Sequence, residues 1–187
     1  MKKIITLIIF ITLIIIVIFL CNIFKFQNVV LTKIYPKDYS EHVEKYASEY
    51  DIDPLLIYAI IKAESNFHPD VKSNSGAIGL MQIMEKTAHE MGDTIGITLT
   101  GKESELFEPD INIQLGTAYF NKLLKQYDNN IQLALIAYNA GPGNVEKWIK
   151  EGIIKEDGSD IENVPFKETN TYVRKILRNY EIYKDIH

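Results

Sequence analysis

Glu64 is the residue whose surroundings most clearly allow chemistry. It ends a strongly apolar stretch, and Ile57, Ile60 and Ile61 lie one and two turns before it on the predicted helix. A carboxyl group among such neighbours is partly desolvated, which raises its pKa and keeps it protonated near neutral pH, as a general acid requires. The alternative is an ordinary glutamate at a helix end that bends into solvent, and this stretch alone leaves both interpretations open.

The segment Gly-Leu-Met-Gln at residues 79–82 has the composition of a cleft-lining turn. Its own Gly79 and the nearby Gly76 allow close approach of the main chain. Gln82 offers an amide donor and an amide acceptor. The alternative is a glycine turn followed by two buried apolar side chains.

Two further segments place polar side chains near helix ends. Tyr138 and Asn139 precede a Gly-Pro-Gly turn and could present a hydroxyl and an amide to a cleft. The alternative there is a helix cap with a tyrosine in the core. Glu168 and Thr169 precede Tyr172 by four and three residues on one helical face, which alone indicates only an acid favourable to the helix dipole.

Several other kinds of site are not indicated. The four histidines form no His-Glu-x-x-His pair, and the one cysteine, Cys21, lies in the apolar N-terminal run, so neither a metal site nor a cofactor is expected. The chain also lacks a Gly-x-Ser-x-Gly elbow and a phosphate loop with Gly-Lys-Ser/Thr.

The elements that must position these residues are predicted to be helices, because apolar residues recur at helical spacing through most of the chain after residue 38. The predicted helices are Tyr39–Tyr50, one opening at Asp53-Pro54, Glu85–Met91, Pro109–Tyr127, Ile131–Tyr138, Val145–Lys150 and Glu168–Tyr183. Residues 72–83 are rich in turn formers and predict a small irregular or β-like lobe. The fold class is therefore mainly α.

The N-terminus differs from the rest of the chain. Ile4–Phe24 contains no charged residue, and about 20 apolar residues suffice to span a bilayer. Lys2 and Lys3 favour a cytoplasmic N-terminus, so the remainder would face the outside as a single-pass cell-membrane protein. A cleaved signal peptide is the alternative, but this run is longer and lacks small residues at a cleavage site. The expected organisation is an anchor at residues 1–26, a linker at 27–37 and a catalytic domain at 38–187.

Charge points away from nucleic acid as a partner. The 187 residues carry 20 basic and 25 acidic side chains, and residues 27–187 alone carry 17 and 25. Proteins that bind nucleic acid usually present a basic surface instead.

Four motifs taken together resemble the catalytic domain of the soluble lytic transglycosylase family, relatives of goose-type lysozyme. The motifs are Glu64-Ser65, Gly79–Gln82, Ala137–Gly143 (Ala-Tyr-Asn-Ala-Gly-Pro-Gly) and Glu168–Val173 (Glu-Thr-x-x-Tyr-Val). They occur in order, and the similarity runs from about Ile52 to Tyr180.

The resemblance implies a lysozyme-like, mainly helical fold with a cleft for the glycan strands of peptidoglycan. It implies cleavage of the β-1,4 bond between N-acetylmuramic acid and N-acetylglucosamine without water, leaving a 1,6-anhydro end, with Glu64 as the single catalytic acid and base. The residues it implies at the substrate are Ser73, Met81, Gln82, Tyr138, Asn139 and Tyr172. Those it implies in support are Ser65, Gly79 and Glu168.

Two other functions remain open at this point: a hydrolytic muramidase and a non-catalytic peptidoglycan-binding module of a cell-envelope assembly. A hydrolase would ordinarily use a second carboxylate. Glu85, Glu108 and Glu168 are candidates only if the fold brings them near Glu64.

Overall fold

The structure, a computed structural model, describes residues 2–187, without the side chains of residues 2–11, 21, 24–26 and 28. The chain divides into two units. One contains the chain up to Pro36 together with Ile186 and His187, and the other is Lys37–Asp185.

The first unit is built on helix α1, Lys2–Ile34. Because α1 continues to Ile34, residues 27–34 are helical, whereas the sequence predicts a linker there. Among the described residues, no helix has both the length and the apolar character needed to cross a membrane. Part of the predicted anchor, residues 1–11, 21 and 24–26, lies outside the described side chains.

The second unit is mainly helical, as predicted, and each helix predicted there is present. The helices are α2 Ser40–Glu49, α3 Pro54–Glu64, α4 Glu85–Ile95, α5 Pro109–Gln126, α6 Ile131–Ala140, α7 Pro142–Lys150 and α8 Lys167–Ile186, which ends just beyond the unit. Short 3-10 helices occupy Glu103–Phe107 and Ile161–Asn163.

Helix α3 is the buried centre of this unit. Asp53 caps it by accepting a hydrogen bond from the Leu55 main-chain N–H at 2.9 Å, and Pro54 occupies the first helical position. Every residue from Leu56 to Ile61 is buried, as expected for a helix that is apolar on all sides. The helix ends at Glu64, so the last side chain of this largely buried helix is a carboxylic acid.

Residues 72–84 form the small lobe that the glycines predict. Strands β1, Ala77–Ile78, and β2, Ile83–Met84, pair antiparallel with Ala77 opposite Met84 and Ile78 opposite Ile83. Ile78 and Ile83 pack into a cluster with buried apolar residues of α4, α5 and the first 3-10 helix. The turn of this hairpin is therefore fixed against the helices.

Candidate active site

A cavity of about 430 Å³ lies where the end of α3 meets the hairpin, the end of α6 and the start of α8. Its lining residues are Glu64, Ser73, Ser75, Ala77, Gln82, Met84, Tyr138, Asn139, Ala140, Phe166, Glu168 and Thr169. A second cavity of about 230 Å³ shares five of these residues and adds Ile83, Thr87, Tyr119 and Gly141. Most of the predicted site residues therefore surround one space.

Glu64 is partly buried at this cavity, and its carboxyl group is held by one strong hydrogen bond. The Tyr172 hydroxyl donates to Glu64 Oε1 over 2.6 Å. Burial raises the pKa of Glu64 to about 7, against smaller lowering effects of the Tyr172 hydrogen bond and the positive charge of Lys175. A carboxyl group with this pKa is present in both protonation states near neutral pH, so it can act as an acid and as a base.

Two tyrosines keep their protons beside this carboxyl. Burial and the nearby Glu64 charge raise the pKa values of Tyr138 and Tyr172 well above 10. Both hydroxyls are therefore donors: Tyr172 bonds to Glu64, and Tyr138 donates to the Met81 carbonyl at 2.8 Å. Tyr172 is buried and is not among the residues that line the cavity, so its contact is with Glu64.

The hairpin turn is tied directly to the end of α3. Ser65, the buried residue after Glu64, donates through its hydroxyl to the Leu80 carbonyl at 2.8 Å. Gln82 adopts a positive φ of 47° and donates through Nε2 to the Gly79 and Val71 carbonyls at 2.8 and 3.0 Å. Ser65 and Gly79 thus hold the turn, while Gln82 is part of the cavity wall.

Met81 does not line the cleft as the resemblance implies. Its side chain is fully buried against α5, where Thr117 donates to its sulfur at 3.7 Å, and a Cβ on Gly116 would lie 2.7 Å from Met81 Cβ. Because Gly116 has no side chain, α5 leaves space that Met81 fills, as the close packing of protein interiors requires. The contribution of Met81 at the site is its main-chain carbonyl, which accepts from Tyr138.

Ser73, Asn139 and Glu168 lie at the cavity where the resemblance implies them. Ser73 Oγ accepts a hydrogen bond from the Ala77 main-chain N–H at 2.9 Å and so shapes the turn before β1. Asn139 is exposed, and its Oδ1 accepts from the Thr169 hydroxyl at 2.7 Å. Glu168 is exposed in the first turn of α8.

Only one of the three candidate partner acids shares the cavity with Glu64. Glu168 lines it, whereas Glu85 starts α4 beside a separate small groove and Glu108 precedes α5. Within the part of the chain that the structure describes, no three His, Cys, Asp or Glu side chains are grouped so as to hold a metal ion.

Asn112 is an important residue that the sequence analysis does not identify. It is fully buried on α5, and its Oδ1 accepts from the Met81 main-chain N–H at 2.8 Å. Its Nδ2 donates to the carbonyls of Ile78 and Leu106 at 2.9 and 2.6 Å. The sequence contains one indication of this role: an asparagine among the apolar positions of an amphipathic helix is buried and needs hydrogen-bond partners there.

Phe166 and Met84 are also missing from the predicted set. They are the exposed large apolar side chains found among the described residues of the second unit, at 49% and 44% exposure, and both line the cavity. Phe166 packs edge-on against Trp148 with ring centroids 4.9 Å apart. Exposed apolar groups at a polar cavity are typical of a ligand-binding surface.

Comparison with known proteins agrees with this geometry. The family model of the transglycosylase SLT domain matches residues 41–160. The soluble lytic murein transglycosylase of Escherichia coli K12 is 36% identical over 150 residues, which are 80% of this chain and 23% of that protein. The membrane-bound lytic murein transglycosylase C of Edwardsiella ictaluri is 38% identical over 115 residues, which are 57% of this chain and 32% of that protein.

A solved structure shows the same fold. An inactive mutant of the lytic transglycosylase Slt from Pseudomonas aeruginosa superposes with a TM-score of 0.76 and 37% identity, over 83% of this chain and 25% of that one. The matched region thus spans a third or less of the length of each of these relatives. Since the domain model covers more than half of the residues and the fold is shared, the chain belongs to the transglycosylase SLT family.

Proposed function

We propose that this protein is a membrane-anchored lytic transglycosylase that cleaves the β-1,4 bond between N-acetylmuramic acid and N-acetylglucosamine in peptidoglycan. The observation that carries the proposal is Glu64, a partly buried carboxyl group with a pKa of about 7 at a cavity of about 430 Å³. The similarity to a soluble and a membrane-bound lytic murein transglycosylase supports the substrate class.

The first step uses Glu64 as an acid. The protonated carboxyl donates its proton to the glycosidic oxygen, the bond from this oxygen to C1 of the muramic acid breaks, and the N-acetylglucosamine leaves with a hydroxyl at C4. Positive charge develops on the muramic ring, and the Glu64 carboxylate is formed at the same time. The Tyr172 hydroxyl, 2.6 Å from Oε1, stabilises this carboxylate as a hydrogen-bond donor.

The second step uses the same group as a base. The Glu64 carboxylate takes the proton of the muramic C6 hydroxyl, whose oxygen bonds to C1 and closes the 1,6-anhydro ring. Glu64 is protonated again and no water is consumed. Because the nucleophile belongs to the sugar already bound, its attack is intramolecular and needs no second carboxylate to activate water.

The cavity wall suits a glycan strand. Polar groups of Ser73, Gln82 and Asn139 could bind hydroxyl and acetamido groups, while the exposed Phe166 and Met84 offer apolar contact to the faces of the sugar rings. Glu168 lies in the same cavity wall, and we assign it a role in supporting the site and not in proton transfer.

The N-terminal segment is proposed to anchor the enzyme. Residues 1–26 supply the apolar run with basic residues before it, and a membrane-bound transglycosylase is among the relatives. The protein should remain in the membrane fraction after a high-salt wash. A mature form lacking residues 1–25 in the medium would refute the anchor.

The activity is tested by digesting purified sacculi with the full chain and with Glu64→Gln, followed by mass spectrometry of the soluble products. We expect anhydro-muropeptides from the wild type and a loss of at least about 1000-fold in Glu64→Gln, since the variant cannot transfer a proton. Glu85→Gln removes an acid from a separate groove and is the matched control, which should keep wild-type activity.

The product mass separates the possible outcomes. An anhydro end is one water lighter than the reducing end that a muramidase would leave, so reducing ends would refute the transglycosylase and establish hydrolysis. Saturable binding of sacculi without any soluble product would instead establish a binding module. Wild-type digestion by Glu64→Gln would refute the role of Glu64.

A further inference from the structure

Lys175 reaches the last turn of α3 from the same face of α8 that provides Tyr172. Its Nζ donates to the Ala63 main-chain carbonyl at 2.7 Å, and Ala63 is the residue directly before Glu64. Helix α8 therefore contacts the catalytic end of α3 twice. Tyr172 bonds to the Glu64 carboxyl group, and Lys175, one turn further along, bonds to the main chain that carries it.

We propose that Lys175 is a positioning residue for Glu64: its ammonium fixes the end of α3 and supplies the lasting positive charge that stabilises the carboxylate between the two proton transfers. The proposal rests on the proposed function, because it assumes that Glu64 changes its protonation state during the reaction.

The reaction gives a reason for such a charge. Burial alone favours the protonated form of Glu64, which makes the group a weak acid that gives up its proton poorly. A cation beside it lowers the free energy of the carboxylate and so lowers the pKa of Glu64, in the same direction as the Tyr172 hydrogen bond. Burial and these two contacts together keep the group able to give and to take a proton at one pH.

Lys175 lies where another positive charge repels it, and its presence at such a position argues that it has a function. It lies near Lys62 of α3, and the repulsion between the two ammonium groups contributes, after burial, to lowering the pKa of Lys62. Among the described residues, no Asp or Glu forms a salt bridge with Lys175 within 4 Å. The interactions that compensate Lys175 are its hydrogen bond to the Ala63 carbonyl and its attraction to the charge of Glu64.

The other groups around Glu64 do not replace this charge. Tyr138 of α6 and Tyr172 of α8 stay neutral, since their pKa values lie well above 10. Glu168 of α8 lines the cavity, and as an acid it supplies no positive charge. Lys62 of α3 donates to Asn66 Oδ1 at 2.6 Å. The cation that lowers the pKa of Glu64 is therefore Lys175.

The test measures the pKa of Glu64 directly by ¹³C NMR of the side-chain carboxyl groups, with Glu64→Gln to assign the signal, in the detergent-solubilised full chain. We expect Lys175→Met to raise this pKa by about 0.5 to 1, since it removes one partly screened charge. The kcat profile on sacculi should show its basic limb at a correspondingly higher pH, with kcat below that limb about threefold lower because the acid is weaker.

Matched variants separate charge from structure. Arg178→Met removes a charge from an exposed position three residues further along α8 and should leave the pKa of Glu64 unchanged. Lys175→Arg keeps the charge and should restore the wild-type value. Lys175→Gln keeps a donor without the charge, so it should behave like Lys175→Met, and it also serves if the methionine variant fails to fold.

Equal pKa values of Glu64 in Lys175→Gln, Arg178→Met and the wild type would overturn the proposal. The titration needs no turnover, so its result is independent of the proposed function. If Glu64→Gln abolishes activity but Lys175 does not affect the titration, the positioning role alone is wrong. If Glu64→Gln remains active, the proposed function is wrong, and so is the catalytic purpose of this charge.

Discussion

Asn112 is the buried side chain on which the hairpin turn depends, and its replacement by alanine should strongly destabilise the second unit. Its amide makes three hydrogen bonds of 2.6 to 2.9 Å, to the Met81 N–H and to the Ile78 and Leu106 carbonyls. The side chain is 0% exposed, so solvent does not reach these main-chain groups in the folded protein.

The magnitude follows from the groups left without a partner. A buried donor or acceptor that loses its hydrogen bond costs about 1 to 3 kcal/mol, and Asn112→Ala leaves three. Relaxation of the turn and entry of water favour the lower end, so we expect a loss of about 3 kcal/mol in the free energy of unfolding. That is a large part of the about 5 to 15 kcal/mol that stabilises a typical domain.

The measurement is urea unfolding followed by the fluorescence of Trp148, the one tryptophan of the chain, which is buried in the second unit. With a slope of about 2 kcal/mol per molar urea, the midpoint should fall by about 1.5 M. Asn163→Ala is the control, because it removes a single bond, from Nδ2 to Asp160 at 3.0 Å, at an exposed residue. It should move the midpoint by less than about 0.5 M.

Asn112→Ala should also lose more activity than its loss of stability explains, because the turn presents Gln82 to the cavity and the Met81 carbonyl to Tyr138. Asn112→Asp tests the donor half separately: at neutral pH its second oxygen can only accept, yet it would face the carbonyls of Ile78 and Leu106. A cost for Asn112→Ala below about 1 kcal/mol, equal to that of the control, would refute the view that this amide holds the turn.

Two further predictions concern the same region. Gly79→Ala should lower the free energy of unfolding by at least about 3 kcal/mol in the same urea assay, because at a φ of 78° the added Cβ would lie 2.5 Å from the Leu106 carbonyl oxygen and would overlap the Asn112 amide. Gly76→Ala is the control and should lower it by only about 1 kcal/mol, because its φ is 89° but no atom lies within 4 Å of the added Cβ. Equal losses in the two variants would show that steric contact is irrelevant. Glu64→Gln should be more stable than the wild type by up to about 3 kcal/mol at pH 8 and equal to it at pH 4. The pKa of about 7 in the folded state exceeds the ordinary value of 4.5, so the stability of the wild type falls as pH rises between these two values. A constant difference between the free energies of unfolding of the two proteins from pH 4 to pH 8 would contradict the raised pKa of Glu64.

Local sequence signals predict the helices well because each signal acts within a few residues. Asp53 and Pro54 start α3 through a bond to Leu55 and a preset φ, and both are visible in the sequence. The glycines and serines of residues 72–83 likewise predict the small lobe, although the pairing of Ala77 with Met84 is not evident from them. Helix α1, in contrast, continues through residues 27–34, since nothing in that stretch breaks a helix before Pro36.

The site is less predictable, because its contacts join residues far apart in the chain. Tyr172 lies 108 positions from Glu64, yet its hydroxyl bonds to that carboxyl. Met81 is adjacent to Gln82 in one motif, but it packs into the core because α5 has a glycine, Gly116, opposite it. Asn112 belongs to none of the motifs, and only the folded chain shows that it fixes one of them.

The order of the residues is enough to predict a helical domain with an acid at the end of an Ile-rich helix, because the burial of such a helix and its termination are short-range consequences of residue type. The surroundings of that acid, in contrast, follow from contacts between helices that are far apart in the chain. Helix α8 brings a neutral donor, Tyr172, and a cation, Lys175, to Glu64, and the pKa of the carboxyl depends on the distance to both. Electrostatic effects vary with distance and burial, and neither quantity is written in the order of the residues.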